Sequence, residues 1–220
     1  MVILGAGGFA KEIATVLLWN NYKKENIVFF DNINESVDNY IYNNYLVIRS
    51  EKDLYSYFKS YDPKFHIGIG GTRNRSRLLK IGEKNAGILT SIISSTSLIS
   101  PFDTNITLDK GISILSGVTI TASVRIGIGC LVNKNAILSH DVEIKDFVEI
   151  SPGAKLLGHS KVGSFTSIGT NAVILPNIHI GNNCIIGAGS IVTKNIPDDS
   201  IAVGIPAKVI KKNSHHEKNI

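Results

Sequence analysis

From residue 98 to residue 193 the apolar residues recur every six positions. The run Leu108, Ile114, Ile120, Ile126, Val132, Leu138, Ile144, Ile150, Leu156, Val162, Ile168, Ile174, Ile180, Ile186 and Val192 is Leu, Ile or Val without a break. With one residue in three of this type, chance gives such a run with a probability of roughly 10⁻⁷. Two places before each member lies a small or β-branched residue: Ile112, Val118, Val124, Cys130, Ala136, Val142 and onward to Cys184 and Ser190. Inward positions separated by two are strand alternation, and Gly, Asn and Asp collect at the bends between. A helix cannot keep one face buried on a strict period of six, so the pattern predicts short strands turned at regular corners and stacked as a solenoid. Three faces close a coil of 18 residues, with coils about 4.8 Å apart. Cut in sixes from Leu98, the repeat gives sixteen hexads.

The first ninety residues follow a different rhythm. Val2-Ile3-Leu4 is an apolar strand, Gly5-Ala6-Gly7-Gly8 follows at once, and Ile13, Val16 and Leu17 then recur on a helical spacing. Ile27-Val28-Phe29-Phe30 makes a second strand ending in Asp31, and Phe65 to Ile69 a third ending in Gly70-Gly71. Glycines after a strand let backbone N–H groups approach phosphate at a helix N-terminus, and an acid after the second strand accepts from a ribose or base. Gly5, Gly7, Gly8, Asp31 and Gly70 thus suit a nucleotide, although a tight turn in any α/β unit would also use such glycines. The stretch from Glu35 to Tyr61 reads as an irregular excursion with a short helix near Lys52 to Phe58. Residues from about Gly82 to Ile99 read as the join between domains. The expected division is 1–92 for an α/β Rossmann-like domain, 93–210 for the solenoid and 211–220 for a polar tail that contains His215 and His216.

Composition narrows the function classes. No positively charged segment leads into an apolar one at the N-terminus, and Val16-Leu17-Leu18-Trp19 is too short to span a bilayer, so a cytoplasmic protein without a membrane span is expected. A formal charge of +5 comes from basic residues that are scattered and not interleaved with aromatics, which argues against nucleic acid and suits anionic small molecules. The two cysteines, Cys130 and Cys184, stand three coils apart on one interior column, about 14 Å from each other. They are core fillers, too distant for a disulfide.

Of the six histidines, His140 stands at an outward corner two residues after the inward Leu138, and Asp141 follows it. Histidine is the natural general base near neutral pH, and a carboxylate beside it orients the ring and stabilises its protonated form. His159 lies one coil beyond Asp141, either competing for that carboxylate or standing by as a solvated neighbour. Metal chemistry of the γ-carbonic-anhydrase kind needs a close pair of histidines, yet His140, His159 and His179 are 19 and 20 residues apart; no metal is expected.

The combination of the N-terminal glycine loop, the hexads, the Ser139-His140-Asp141 corner and the closing Val203-Gly204-Ile205-Pro206-Ala207-Lys208 resembles the hexapeptide-repeat sugar acetyltransferases. Within them it is similar to the enzymes acting on nucleotide-linked amino sugars in bacterial glycan synthesis and to the sialic acid O-acetyltransferases. The resemblance implies a left-handed coil, a homotrimer, acetyl-coenzyme A as cosubstrate lying along the solenoid, and His140 with Asp141 as the catalytic pair. It implies acetyl transfer to the amine of a nucleotide-linked sugar, first of all a UDP-4-amino-4,6-dideoxy sugar. It also places Gly158, Gly169, Thr170 and Ala188 beside the acetyl-coenzyme A arm, and Asn133 near the acetyl acceptor. Relatives often carry His-Gly where this chain has Phe9-Ala10, and a second Asp where it has Asn32. Nine residues after the catalytic histidine they often place a second histidine that touches acetyl-coenzyme A; here that position is Glu149, which can accept from an amide of the pantetheine arm but cannot donate unless protonated. The alternatives are O-acetylation of sialic acid or another sugar hydroxyl by the same base, and a non-enzymatic trimeric scaffold for a biosynthetic partner.

Overall fold

The computed structural model describes residues 1–34 and 38–214. His215 and His216 lie outside the described residues. The chain opens with β1 (Val2–Leu4), α1 (Gly8–Trp19) and β2 (Val28–Phe30), then a short antiparallel pair, β3 (Tyr40–Ile41) and β4 (Tyr45–Ile48). It continues through α2 (Glu51–Ser60), β5 (Lys64–Ile67), α3 (Thr72–Lys84) and β6 (Ile88–Leu89). These strands form one sheet in the order β3-β4-β2-β1-β5-β6, parallel except for β3 against β4. A chain that winds outward from β1 in both directions leaves a crevice beyond the carboxyl ends of β1 and β5, the switch point where such sheets bind ligands.

Two readings of this half change. The excursion after Asp31 holds a hairpin whose second strand extends the sheet. The stretch read as a join from Gly82 opens inside a 13-residue helix, α3, that begins at Thr72, where the periodicity predicts no element. Its buried stripe is Arg75, Leu78, Leu79 and Gly82. That is a helical spacing, but one that opens on a cation, which hides it from a search for apolar periodicity.

The rest is a left-handed parallel β-helix. Its first face carries Ile92–Ile93, Ser113–Ile114, Leu131–Val132, Glu149–Ile150, Ser167–Ile168 and Ile185–Ile186. The second runs from Leu98–Ile99 to Ile191–Val192, and the third from Thr107–Leu108 to His179–Ile180. Every sixth residue from 111 to 189 has φ between 52° and 71°. These are the corners, where a left-handed backbone turns the chain, and Gly and Asn hold most of them because the conformation costs them least. Isoleucines, valines and small residues of the third and fifth columns fill the interior as one buried cluster.

The first coil departs from the uniform frame. Strand pairs 92↔113 and 98↔119 are 21 residues apart, whereas 107↔125 is 18 apart, so three extra residues lie in the corner between Leu98–Ile99 and Thr107–Leu108. Phe102, which the frame from Leu98 puts inside, is 84% exposed on that corner. The solenoid also begins earlier, at Ile92–Ile93. At the other end, Ser200–Gly204 and Ala207–Lys212 form an antiparallel pair on the first face, so Lys211 and Lys212 belong to a strand. Asn213 is buried against Asn183, to whose carbonyl its side-chain amide donates at 2.9 Å.

The α/β domain docks on the first face. Ile92, Leu115 and Leu131 pack with Ile3, Ile13 and Val16, while Phe147 packs with Leu78 and Leu79.

Candidate active site

The crevice brings the predicted nucleotide positions together, and the glycines there serve two purposes. Gly5 has φ 118°, and a Cβ on it would meet Gly68 O at 2.9 Å, so it is a close-approach position. Gly7 and Gly8 are exposed with open space around them at the start of α1, whose N-terminus has no side-chain cap. Free N–H groups at a helix start suit an anion. Asp31 follows β2, and its Oδ1 accepts from the N–H groups of Ile33 and Asn34 at 3.1 and 2.9 Å, shaping its own loop. Gly70 follows β5 and faces the Glu149 carboxylate, 3.5 Å from where a Cβ would stand.

Glu149 is therefore committed to the α/β domain: its Oε2 accepts from Gly71 N–H at 2.7 Å. Behind that contact Arg75 is fully buried. It donates to Gly129 O at 2.8 Å, Ile69 O at 2.9 Å, Ser113 Oγ at 3.1 Å and Ile67 O at 3.2 Å. Burial lowers its pKa to about 10, opposed by Cys130 and Glu149. His66, also fully buried, holds Thr90 O at 2.7 Å through Nδ1 and Ser113 Oγ at 2.8 Å through Nε2. A carbonyl only accepts, so Nδ1 carries the proton and Nε2 accepts from the Ser113 hydroxyl. Burial, and then the Arg75 charge, push the His66 pKa down to about 3. Arg75, Ser113 and His66 thus form one satisfied polar lock between the domains. A sequence shows no trace of it, because its pairs lie 38 and 47 residues apart across an interface.

The proposed catalytic pair sits at a corner between the second and third faces. His140 Nδ1 lies 2.9 Å from Asp141 Oδ2, and their side chains are 57% and 45% exposed. With the Nδ1 proton donated to the carboxylate, Nε2 is left with its lone pair, and it has no hydrogen-bond partner among the described residues. His159 Nε2 stands 3.7 Å from the same Asp141 oxygen. These three residues offer donor atoms within 4.8 Å of one another, the one group among the described residues able to hold a metal ion.

The residues placed beside acetyl-coenzyme A fall in three locations. Gly169, Thr170 and Ala188 share the corner between the first and second faces, where Thr170 O accepts from Gly189 N–H at 2.8 Å and a Cβ on Gly169 would strike Ala188 N at 2.5 Å. Asn133 is near that corner two coils earlier, its Oδ1 accepting from Lys134 N–H at 2.8 Å. Gly158 is elsewhere, buried beneath the His140 ring. Glu149 is on the first face, against Gly71. Neither thiol presents a nucleophile: burial pushes Cys130 up to about 12 and raises Cys184.

Residues 1–81 match the family model of the PglD N-terminal domain, and residues 159–194 match the bacterial transferase hexapeptide model of six repeats. Among solved structures, the chain is similar to PerB from Caulobacter crescentus in complex with CoA and GDP-perosamine: 27% identity, TM-score 0.83, covering 94% of this chain and 95% of that one. It is similar to the acetyltransferase domain of PglB from Neisseria gonorrhoeae FA1090, solved with acetyl coenzyme A, at 27% identity and TM-score 0.83 over 95% and 98% of the two chains. WeeI from Acinetobacter baumannii AYE matches at 28% identity and TM-score 0.85 over the same shares. A PglD-type α/β domain, hexapeptide coils and whole-length likeness to acetyltransferases solved with CoA make this chain similar to the hexapeptide-repeat sugar acetyltransferases and support an acyltransferase.

Proposed function

We propose that the protein moves the acetyl group of acetyl-coenzyme A to the amine of a nucleotide-linked amino sugar by direct transfer, with His140 as general base. The observation that carries this is the His140–Asp141 pair, 2.9 Å apart at a half-exposed corner with Nε2 unengaged. The sugar amine attacks the thioester carbonyl, the C–N bond forms as the C–S bond breaks, and the amine proton passes to His140 Nε2 and on to the departing thiolate. Asp141 fixes the tautomer and offsets the imidazolium charge. No acyl-enzyme is needed, consistent with both thiols being buried.

Gly5, Gly7, Gly8, Asp31 and Gly70 hold the nucleotide in this reading, while Gly169, Thr170 and Ala188 line the acetyl-coenzyme A arm. The crevice sits on the first face, whereas His140 stands on the opposite corner of the triangular coil. One chain cannot bring them together, so a neighbouring subunit supplies the complementary half. The outward column of the second face, Leu98, Thr119, Ile137, Lys155, Val173 and Ile191, holds a single charge, while the third carries Arg125, Glu143, Lys161 and His179. A homotrimer that covers the second face fits this contrast.

The test is to incubate the protein with acetyl-coenzyme A and UDP-, GDP- and dTDP-linked 3-amino and 4-amino sugars, following thiol release and product mass. A UDP-linked 4-amino-4,6-dideoxy sugar is the first candidate. Formation of an amide with at least one of them is expected. Turnover confined to free sialic acid or another hydroxyl acceptor overturns N-acetylation in favour of O-acetylation, and absence of turnover with every acceptor points to the scaffold.

A further inference from the structure

The repeat sets Gly158-His159 one coil beyond His140-Asp141, and both of its members bear on the base. An ideal Cβ at Gly158 would lie 2.5 Å from Cε1 and Nε2 of His140 and 3.2 Å from Nδ1. The imidazole therefore rests in the space that any other side chain would take. Gly158 is not at one of the left-handed corner positions, so its backbone does not require glycine. Space is the reason that remains.

His159 closes a second side. Its backbone N–H donates to His140 O at 3.0 Å, which locks the two corners in register. Its ring meets the His140 ring edge to face, with centroids 5.1 Å apart and planes at 84°. Its Nε2 reaches the Asp141 oxygen that holds His140. Thus the ring has Asp141 at Nδ1, Gly158 beneath it and His159 at its side.

We propose that Gly158 and His159 are positioning residues for the acetyl transfer, holding His140 in the one orientation that keeps Nδ1 on Asp141 and leaves Nε2 unengaged. This rests on His140 being the base. In this role each acts through the ring. A displacement of about 1 Å at a reacting group is enough to cost about 100-fold in rate. A methyl group at residue 158 demands a shift of that size, since ordinary contact begins near 3.4 Å and the present separation is 2.5 Å.

The experiment compares Gly158→Ala, His159→Asn, His159→Ala and His140→Asn in full-length protein. It measures kcat and both KM values, thermal unfolding, and the tautomer of His140 in ¹⁵N-histidine-labelled protein. For Gly158→Ala we expect kcat down by about 100-fold, KM values within two-fold, unfolding unchanged, and loss of the Nδ1–H signature of His140. His159→Ala is expected to lower kcat by about 10-fold, and His159→Asn, which keeps an amide donor for Asp141, to recover part of that loss. Wild-type kcat and tautomer in Gly158→Ala and His159→Ala, beside an inactive His140→Asn, overturn the positioning roles while leaving the base intact. A fully active His140→Asn instead overturns the base, and the present proposal with it.

Discussion

Lowering the pH from 7 to 5 is expected to cost this protein stability through one buried side chain. His66 is fully buried with both ring nitrogens engaged, and its folded pKa is pushed down to about 3, against about 6.5 for a histidine in an unfolded chain. The folded value lies below the unfolded one, so between pH 6.5 and 3 the unfolded chain binds a proton that the folded chain refuses. Stability is complete above about pH 7 and falls as pH drops through that window. The loss approaches 1.4 kcal/mol per pH unit and reaches about 2 kcal/mol at pH 5. The carboxylates held low by their partners, Asp62 and Glu143 among them, lose their contribution mainly below about pH 5 and so leave the interval from pH 7 to pH 5 to His66. The assay is urea unfolding at pH 7 and pH 5 and at one protein concentration, for wild type and His66→Gln. Glutamine keeps a donor and an acceptor but does not ionise. The pH-dependent loss is expected to be about 2 kcal/mol smaller in the variant. Equal losses in the two proteins would refute the reasoning, since they would mean that His66 takes up its proton in the folded state at its ordinary pH.

The remaining predictions concern the interface and the core. Glu149→Ala removes the acceptor of Gly71 N–H and the carboxylate that acts on buried Arg75, and urea unfolding should show a loss of about 2 kcal/mol; Glu149→Gln, still an acceptor, should lose less. Gly82→Ala drives a methyl to within 2.3 Å of the Phe65 ring, so thermal unfolding should register about 1–3 kcal/mol of destabilisation despite the better helix propensity of alanine. Cys130 and Cys184 should stay unlabelled by a thiol reagent at neutral pH until urea is added, and fast labelling of either in the native protein would reopen a covalent route.

What the chain disclosed in advance and what it concealed have separate physical causes. Columns of Ile and Val at period six are legible because every coil repeats the same burial problem, and Gly5, Gly7 and Gly8 are legible because a strand precedes them and a helix follows. The three extra residues of the first coil escaped because the aliphatic column is unbroken only from Leu108 onward, so nothing fixed the frame at Phe102. Helix α3 escaped because its buried stripe begins with Arg75, and Arg75 is tolerated there only because backbone oxygens of Gly129, Ile67 and Ile69 and the hydroxyl of Ser113 come to meet it. Glu149 reads as an oddity beside His140 in the sequence. In the fold it faces the other way, as an acceptor for Gly71. Gly158 carried a usable signal, 18 residues from His140, but glycine in a repeat has many ordinary reasons to be there.

The most direct test of acetyl transfer through His140 is the kcat of His140→Asn with acetyl-coenzyme A and the best nucleotide-linked amino sugar, both saturating. A positioned general base contributes about 10²- to 10⁴-fold, so kcat is expected to fall by that factor with KM values largely kept. A variant that retains wild-type kcat would contradict the account.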